Sequence, residues 1–281
     1  MTGFVQTWLL DPLSFDFMQR ALLIAVMIGT VCSVFSCFLI LKGWSLMGDA
    51  VSHAVLPGLA LAYVLGLPLL LGAFAAGLFC AGSIGYIKEN SRVKEDTVMG
   101  VIFSGMFAAG LVMLTQIETD VHLLHVLFGD VLGISARDLL ETGIAAGLAT
   151  AVMLVKRRDL MLYCFDPAHA GVIGLNIRVL HFGLLVLLSL TIVAALKAAG
   201  VILVVAMLIA PGAIGFLLTK SFDRMLAIAV TVSVLSCLAG TIASFHLDTA
   251  TAPLIVVFQF FIFVLTLGYT LARPQTGKAA A

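Results

Sequence analysis

Charge is scarce in this chain. Lys and Arg number 15, Asp and Glu another 15, and together they make only 11% of 281 residues. A soluble domain carries roughly 25%, so an ordinary water-soluble fold is excluded. The two signs cancel to a net charge of zero. No net field is left to gather nucleic acid or an acidic partner. No Gly-x-x-x-x-Gly-Lys-Ser/Thr run occurs, so the chain brings no P-loop ATPase of its own. No His-Glu-x-x-His occurs either, which argues against an intramembrane metalloprotease. Cysteine is sparse: Cys32, Cys37, Cys80, Cys164 and Cys237 form no Cys-x-x-Cys pair. Such residues, mostly inside apolar runs, read as small packing side chains. The first residues, Met1 to Asp16, lack a basic n-region and carry Asp11 and Asp16. A cleavable signal peptide is therefore not expected.

What fills the chain is apolar. Hydrophobic residues make 62% and the mean hydropathy is +1.19. Apolar stretches run over 17–41, 50–66, 68–87, 98–117, 138–155, 180–196, 200–218, 225–245 and 252–272. Each approaches the ~20 residues that cross a bilayer as a helix. The expectation is an all-α polytopic membrane protein with about nine transmembrane helices. Gly66-Leu67-Pro68 turns the chain between the second and third; were one of those pieces re-entrant, the count would be eight.

Basic residues set the orientation. Lys42, the group Lys88, Arg92 and Lys94, the run Lys156 to Arg158, the pair Lys220 and Arg224, and Arg273 with Lys278 follow the odd-numbered spans. Those ends face the cytoplasm, and the other side is poor in Lys and Arg, Lys197 being among the few there. The reading is an extracytoplasmic segment over 1–16, one membrane domain over 17–272, and a disordered cytoplasmic tail over 273–281. Glycines within spans, such as Gly72, Gly77, Gly82 and Gly85, suit closely packed helices.

Four constellations carry chemistry. In the first, Asp49 and His53 stand four apart, so one helix face presents both. A carboxylate and an imidazole together suit a divalent transition metal. The same spacing suits Asp49 as a plain helix N-cap, and spacing alone leaves both readings open. Two ligands are few for one ion, whereas a dimer would bring four. The orientation places the pair at the cytoplasmic mouth of span 2. Pro57 and Gly58 follow, and a proline there frees carbonyls that can line a cavity.

The second constellation is Glu118, Asp120, His122 and His125, on the outer side after span 4, followed by a short helix begun near Leu127-Phe128-Gly129-Asp130. It reads either as a cation-attracting mouth or as a solvated loop. The third is the cytoplasmic segment 156–178. There Asp166 caps and Pro167 opens a short helix, and Gly174 ends it. Such a knob suits a soluble partner, or simply the membrane interface. The fourth is the span around Pro211-Gly212, where a kink or break is expected. Broken helices occur along transport paths, though packing kinks are commoner. His181, His246 and Asp248 read as structural or solvated.

Together these stretches resemble the permease subunits of metal-uptake ABC transporters, over about residues 17–270. The specific parts are Leu46-Met47-Gly48-Asp49-Ala50-Val51-Ser52-His53-Ala54-Val55-Leu56-Pro57-Gly58, then Asp166-Pro167-x-x-Ala170-x-x-x-Gly174, and then Gly200-Val201-Ile202-Leu203 through Ala210-Pro211. The likeness is greatest to the manganese/iron branch. It implies the ABC importer permease fold in the inner (plasma) membrane. It implies Asp49 and His53 as metal-coordinating residues of the permeation path. It implies Asp166, Pro167, Ala170 and Gly174 as part of a coupling helix, with Pro57, Gly58, Pro211 and Gly212 along the path. Implied partners are an ATP-binding subunit, an extracytoplasmic metal carrier, and a second permease, identical or related. The cargo would be Mn2+, Fe2+ or Zn2+, with no permanently bound cofactor. The chain departs from the family at Ala168, where Glu is frequent, at Pro211 to Phe216, and at Thr251 to Leu254. A rival reading is an ion-coupled secondary metal transporter that needs no ATPase.

Overall fold

A computed structural model describes Pro12 and residues 14–117 and 133–272. Within it the chain is helical, and nine helices are long and apolar enough to cross a membrane. We number the helices α1 (Asp16–Lys42), α2 (Met47–Val64), α3 (Leu69–Asn90), α4 (Glu95–Gln116), α5 (Ala136–Val155), α6 (Arg157–Phe165), α7 (Pro167–Val172), α8 (Ile177–Leu218), α9 (Phe222–Leu247) and α10 (Thr251–Ala272). The long helix α8 holds two spans, Ile177–Leu196 and Ala198–Leu218. The region 50–87 resolves into two full helices. Gly66 sits at φ +65°, a left-handed conformation that suits glycine, and turns α2 toward α3.

Burial sorts the helices into centre and rim. The most apolar windows of α1 and α2 are 72% buried within the chain, those of α4 and α10 only 17%. α1 is clasped by α8, α9 and α5, and α2 by α3, α4 and α8. Phe35 and Phe38 of α1 are fully buried, whereas Phe260, Phe261 and Leu265 of α10 face outward. In a membrane that outward face meets lipid or another membrane helix.

Contacts between α2 and α3 depend on missing side chains. A Cβ on Gly58 would lie 2.2 Å from the Gly72 carbonyl, and one on Gly72 equally near the Gly58 carbonyl. Gly110 of α4 meets Pro57 as closely, at 2.8 Å from its nitrogen. Bare backbone lets these helices approach, as small residues do in membranes. Gly58 is thus a packing position.

The fourth constellation comes out differently from its reading. α8 continues through Pro211 and Gly212 to Leu218, and its non-helical residue is Gly200 (φ 73°, ψ 170°). The interruption of α8 therefore lies at Gly200, between its two spans. α1 supports the proline turn from the side. Ser36 Oγ accepts from Gly212 N–H at 3.0 Å and donates to the Ile209 carbonyl at 3.1 Å. A Cβ on Gly212 would strike Ser36 at 2.5 Å. One hydroxyl from α1 thus serves the backbone beside the proline, and the helix holds its course.

The outer group Glu118, Asp120, His122 and His125, the stretch Leu127 to Asp130, the tail 273–281 and most of the segment 1–16 lie outside the described residues.

Candidate functional site

Asp49 and His53 occupy the first two turns of α2. The N-cap of α2 is Leu46, with no side-chain cap bond, so Asp49 is the third helical residue and not the cap. A carboxylate in that first turn gains from the positive end of the helix dipole. Ser52 turns inward and donates to the Gly48 carbonyl at 2.7 Å. That leaves the outward face to Asp49 and His53. His53 Nε2 lies 3.3 Å from Asp49 Oδ1, and both side chains are about one-third exposed (29% and 32%).

The spacing suits a chelate. Metal–nitrogen and metal–oxygen bonds of about 2.1 Å place two ligand atoms about 3.0 Å apart at an octahedral angle and about 3.4 Å apart at a tetrahedral one. The other ring nitrogen, Nδ1, is buried and has no partner among the described residues. The ring stands against two aromatic faces of α4, Phe103 at 5.8 Å and Phe107 at 5.1 Å. A third oxygen lies on the main chain. Pro57 stands four residues after His53 and has no N–H, so the His53 carbonyl loses its helical donor. Among the described residues no group of three His, Cys, Asp or Glu side chains could hold an ion.

The pair lies deeper than a cytoplasmic mouth. Phe103 and Phe107 are eight and twelve residues from the Glu95 end of α4, about 12 and 18 Å along its axis. Cys80 of α3 reaches the Ala50 carbonyl at 3.8 Å, ten residues or about 15 Å from the Asn90 end. A Cβ on Gly48 would meet Leu208, ten residues before the end of α8. Three neighbours therefore agree on mid-span depth. The cause is the link Gly43–Leu46. Gly43 ends α1 in the left-handed conformation (φ 77°), Trp44 is buried, and α2 starts inside the bundle.

Beyond Pro57, on the side away from Asp49, α2, α3 and α4 enclose an apolar groove of about 630 Å³. Pro57, Leu61, Phe79 and Met106 are among its walls. Among the described residues no charged side chain lines that groove, and Asp49 and His53 are not among its walls.

The 156–178 segment forms two short helices. Asp166 caps α7, accepting from His169 N–H at 3.0 Å, and Pro167 follows at the first helical position. Gly174 turns out of the helix at φ 89°. Leu175 N–H returns to the Ala170 carbonyl at 3.1 Å, which closes the end. Ala170 is buried and anchors α7, while Phe165, Val172 and Ile173 stand exposed. Tyr163, Trp44 and His181 come together as one group that the sequence does not announce. Tyr163 Oη lies 2.7 Å from His181 Nδ1, and the His181 ring meets Trp44 edge-on at 5.4 Å. Their only signal in the sequence is polar aromatic character at helix ends.

Comparisons agree with this picture. Residues 14–270 match the family described as the ABC 3 transport family. The chelated iron transport system membrane protein YfeD of Yersinia pestis is 60% identical, over 96% of this chain and 91% of its own length. The manganese transport system membrane protein MntB of Synechocystis is 51% identical, over 97% and 88%. The solved structure of PsaBC from Streptococcus pneumoniae in complex with Fab superposes with a TM-score of 0.80 at 34% identity, over 95% of this chain and 94% of that one.

Proposed function

The chain belongs to the ABC 3 transport family and is a multi-pass inner-membrane permease, and from this premise we propose that it carries divalent manganese or iron inward as one half of an ATP-driven importer. Relatives named for iron and for manganese transport support that cargo. The observation that carries the reading is the Asp49–His53 chelate at mid-span depth, with the unpaired Nδ1 and the freed His53 carbonyl beside it. Oxygen and imidazole ligands suit Mn2+ and Fe2+, and Zn2+ competes for the same set.

An extracytoplasmic carrier delivers the ion on the far side. The ion loses water where Asp49 and His53 can replace it as ligands. A site meant to release its cargo holds few ligands, and a second permease, identical or related, supplies the rest. ATP is hydrolysed in a separate subunit. That subunit docks on the exposed rim of α7 at Phe165, Val172 and Ile173. The ion contributes to the switch between outward-facing and inward-facing states only through unequal affinity for them.

The test is metal uptake by the assembled complex in proteoliposomes. Asp49→Ala and His53→Ala each lower manganese uptake on the order of a hundredfold, beyond the effect of losing outer-shell groups alone. The amount of complex stays the same. Uptake at the wild-type rate in both variants sinks the proposal.

A further inference from the structure

Between the α7 knob and the metal pair lies a contact chain that neither site requires. Tyr163 is three residues before the Asp166 cap and is 2% exposed. Its hydroxyl pairs with His181 Nδ1 at 2.7 Å, at the start of α8. Its ring carries the Lys42 ammonium at 4.1 Å, at the end of α1. His181 in turn leans on Trp44, and Gly85 of α3 leaves room for its ring, since a Cβ there would lie 3.2 Å from Nε2.

Trp44 is the pivot of the link into α2. Its N–H donates to the Leu39 carbonyl of α1 at 2.7 Å, and its carbonyl accepts from Met47 N–H of α2 at 3.0 Å. It is buried (3% exposed) five residues before Asp49. Its indole N–H has no acceptor among the described residues. A buried donor left unspent marks a place where a second arrangement can be equally good or better. Five helices thus meet on three side chains, and the root of α2 is one of the five.

We propose that Tyr163, through His181 and Trp44, is a positioning residue that transmits displacement of the α6–α7 arm to the first turns of α2 and so to the Asp49–His53 pair. This rests on the importer reading, because it supposes that a partner moves α7. Rotation of α6 by a docked partner moves the Tyr163 hydroxyl. The hydrogen bond draws His181, and the packed indole shifts with it, moving Met47 and the residues above. Packed side chains with two arrangements are the physical basis such coupling needs.

Tyr163→Phe tests it in the reconstituted complex. The substitution deletes one hydroxyl and keeps the ring under Lys42. Manganese imported per ATP hydrolysed is expected to fall about fivefold, within the range of network substitutions. The ATPase subunit still co-purifies and hydrolysis persists. His181→Asn, whose amide can stand in for Nδ1, keeps most of the coupling, and His181→Leu loses it. Import and hydrolysis that fall in proportion, or Tyr163→Phe import at the wild-type rate, overturn the inference while the importer reading stands. A wild-type complex that hydrolyses ATP without importing metal overturns the importer reading first, and the inference with it.

Discussion

Two prolines lie inside two continuous membrane helices, and the bundle packs around them differently. Beside Pro211 in α8, Ser36 from α1 bonds Gly212 N–H and the Ile209 carbonyl and ties the two helices together, and Gly212 leaves no room for anything else. Pro57 in α2 also lies within a continuous helix, close against Gly110 of α4. The carbonyl it frees belongs to His53, whose ring keeps a buried, unpartnered nitrogen and whose partner Asp49 is one-third exposed. A proline breaks the same bond in both places. Whether it sits in a packed joint or beside a partly exposed polar pair is decided by the helix across from it.

Exchanging the prolines breaks this comparison most sharply. Pro57→Ala returns an N–H to the His53 carbonyl and adds a helix former, so the folded permease gains stability. Metal import is nonetheless expected to fall about tenfold, as for loss of a group that supports a ligand set. Pro211→Ala is expected to leave import per folded complex unchanged. Uptake assays paired with thermal unfolding in detergent check both. Equal import by the two variants would erase the distinction between them.

Ser36→Ala probes the other side. Losing this buried hydroxyl removes two hydrogen bonds between α1 and α8, at a cost of about 1–3 kcal/mol. The melting temperature drops, and import by the remaining folded complex holds. A drop in import affinity for manganese would mean that the Pro211 joint belongs to the path.

These regions also show what a sequence can carry. The nine spans are legible because each apolar run has the length of a bilayer and ends at glycine, proline or charge. Gly66-Leu67-Pro68 suffices to part α2 from α3, and Gly66 takes the left-handed conformation there. The short helix α7 is legible for the same local reason, since Asp166, Pro167 and Gly174 each act within a few residues. The depth of Asp49 and His53 is not legible. It is set by Cys80, Phe103, Phe107 and Leu208, 27 to 155 residues away from the nearer of the pair. Ser36 escapes notice because one hydroxyl in an apolar span announces nothing about a backbone 173 residues further on. Gly200 carries the break in α8 because a positive φ is open to glycine, whereas the proline draws the eye.

The smallest effect expected is the dependence of import on acidity, and it separates the two prolines' surroundings by chemistry alone. An imidazole coordinates through a lone pair, so His53 must be neutral to hold the ion. A proton and the ion compete for that lone pair, so through this ligand acid can only weaken binding. The neighbourhood of Pro211, with Ser36, Gly212 and Ile209, has no group that titrates between about pH 5 and about pH 8. Manganese uptake by the wild-type complex should therefore decline several-fold toward acid pH through His53. Residual uptake by His53→Gln, whose amide oxygen can still ligate, should be lower at every pH and flatter across the range. ATP hydrolysis by the isolated ATPase subunit, followed over the same range, removes that subunit's own pH response from the comparison. A His53→Gln profile as steep as the wild type would place the acid-sensitive step elsewhere, and would leave Asp49 and the His53 carbonyl as the oxygen part of the site without its imidazole.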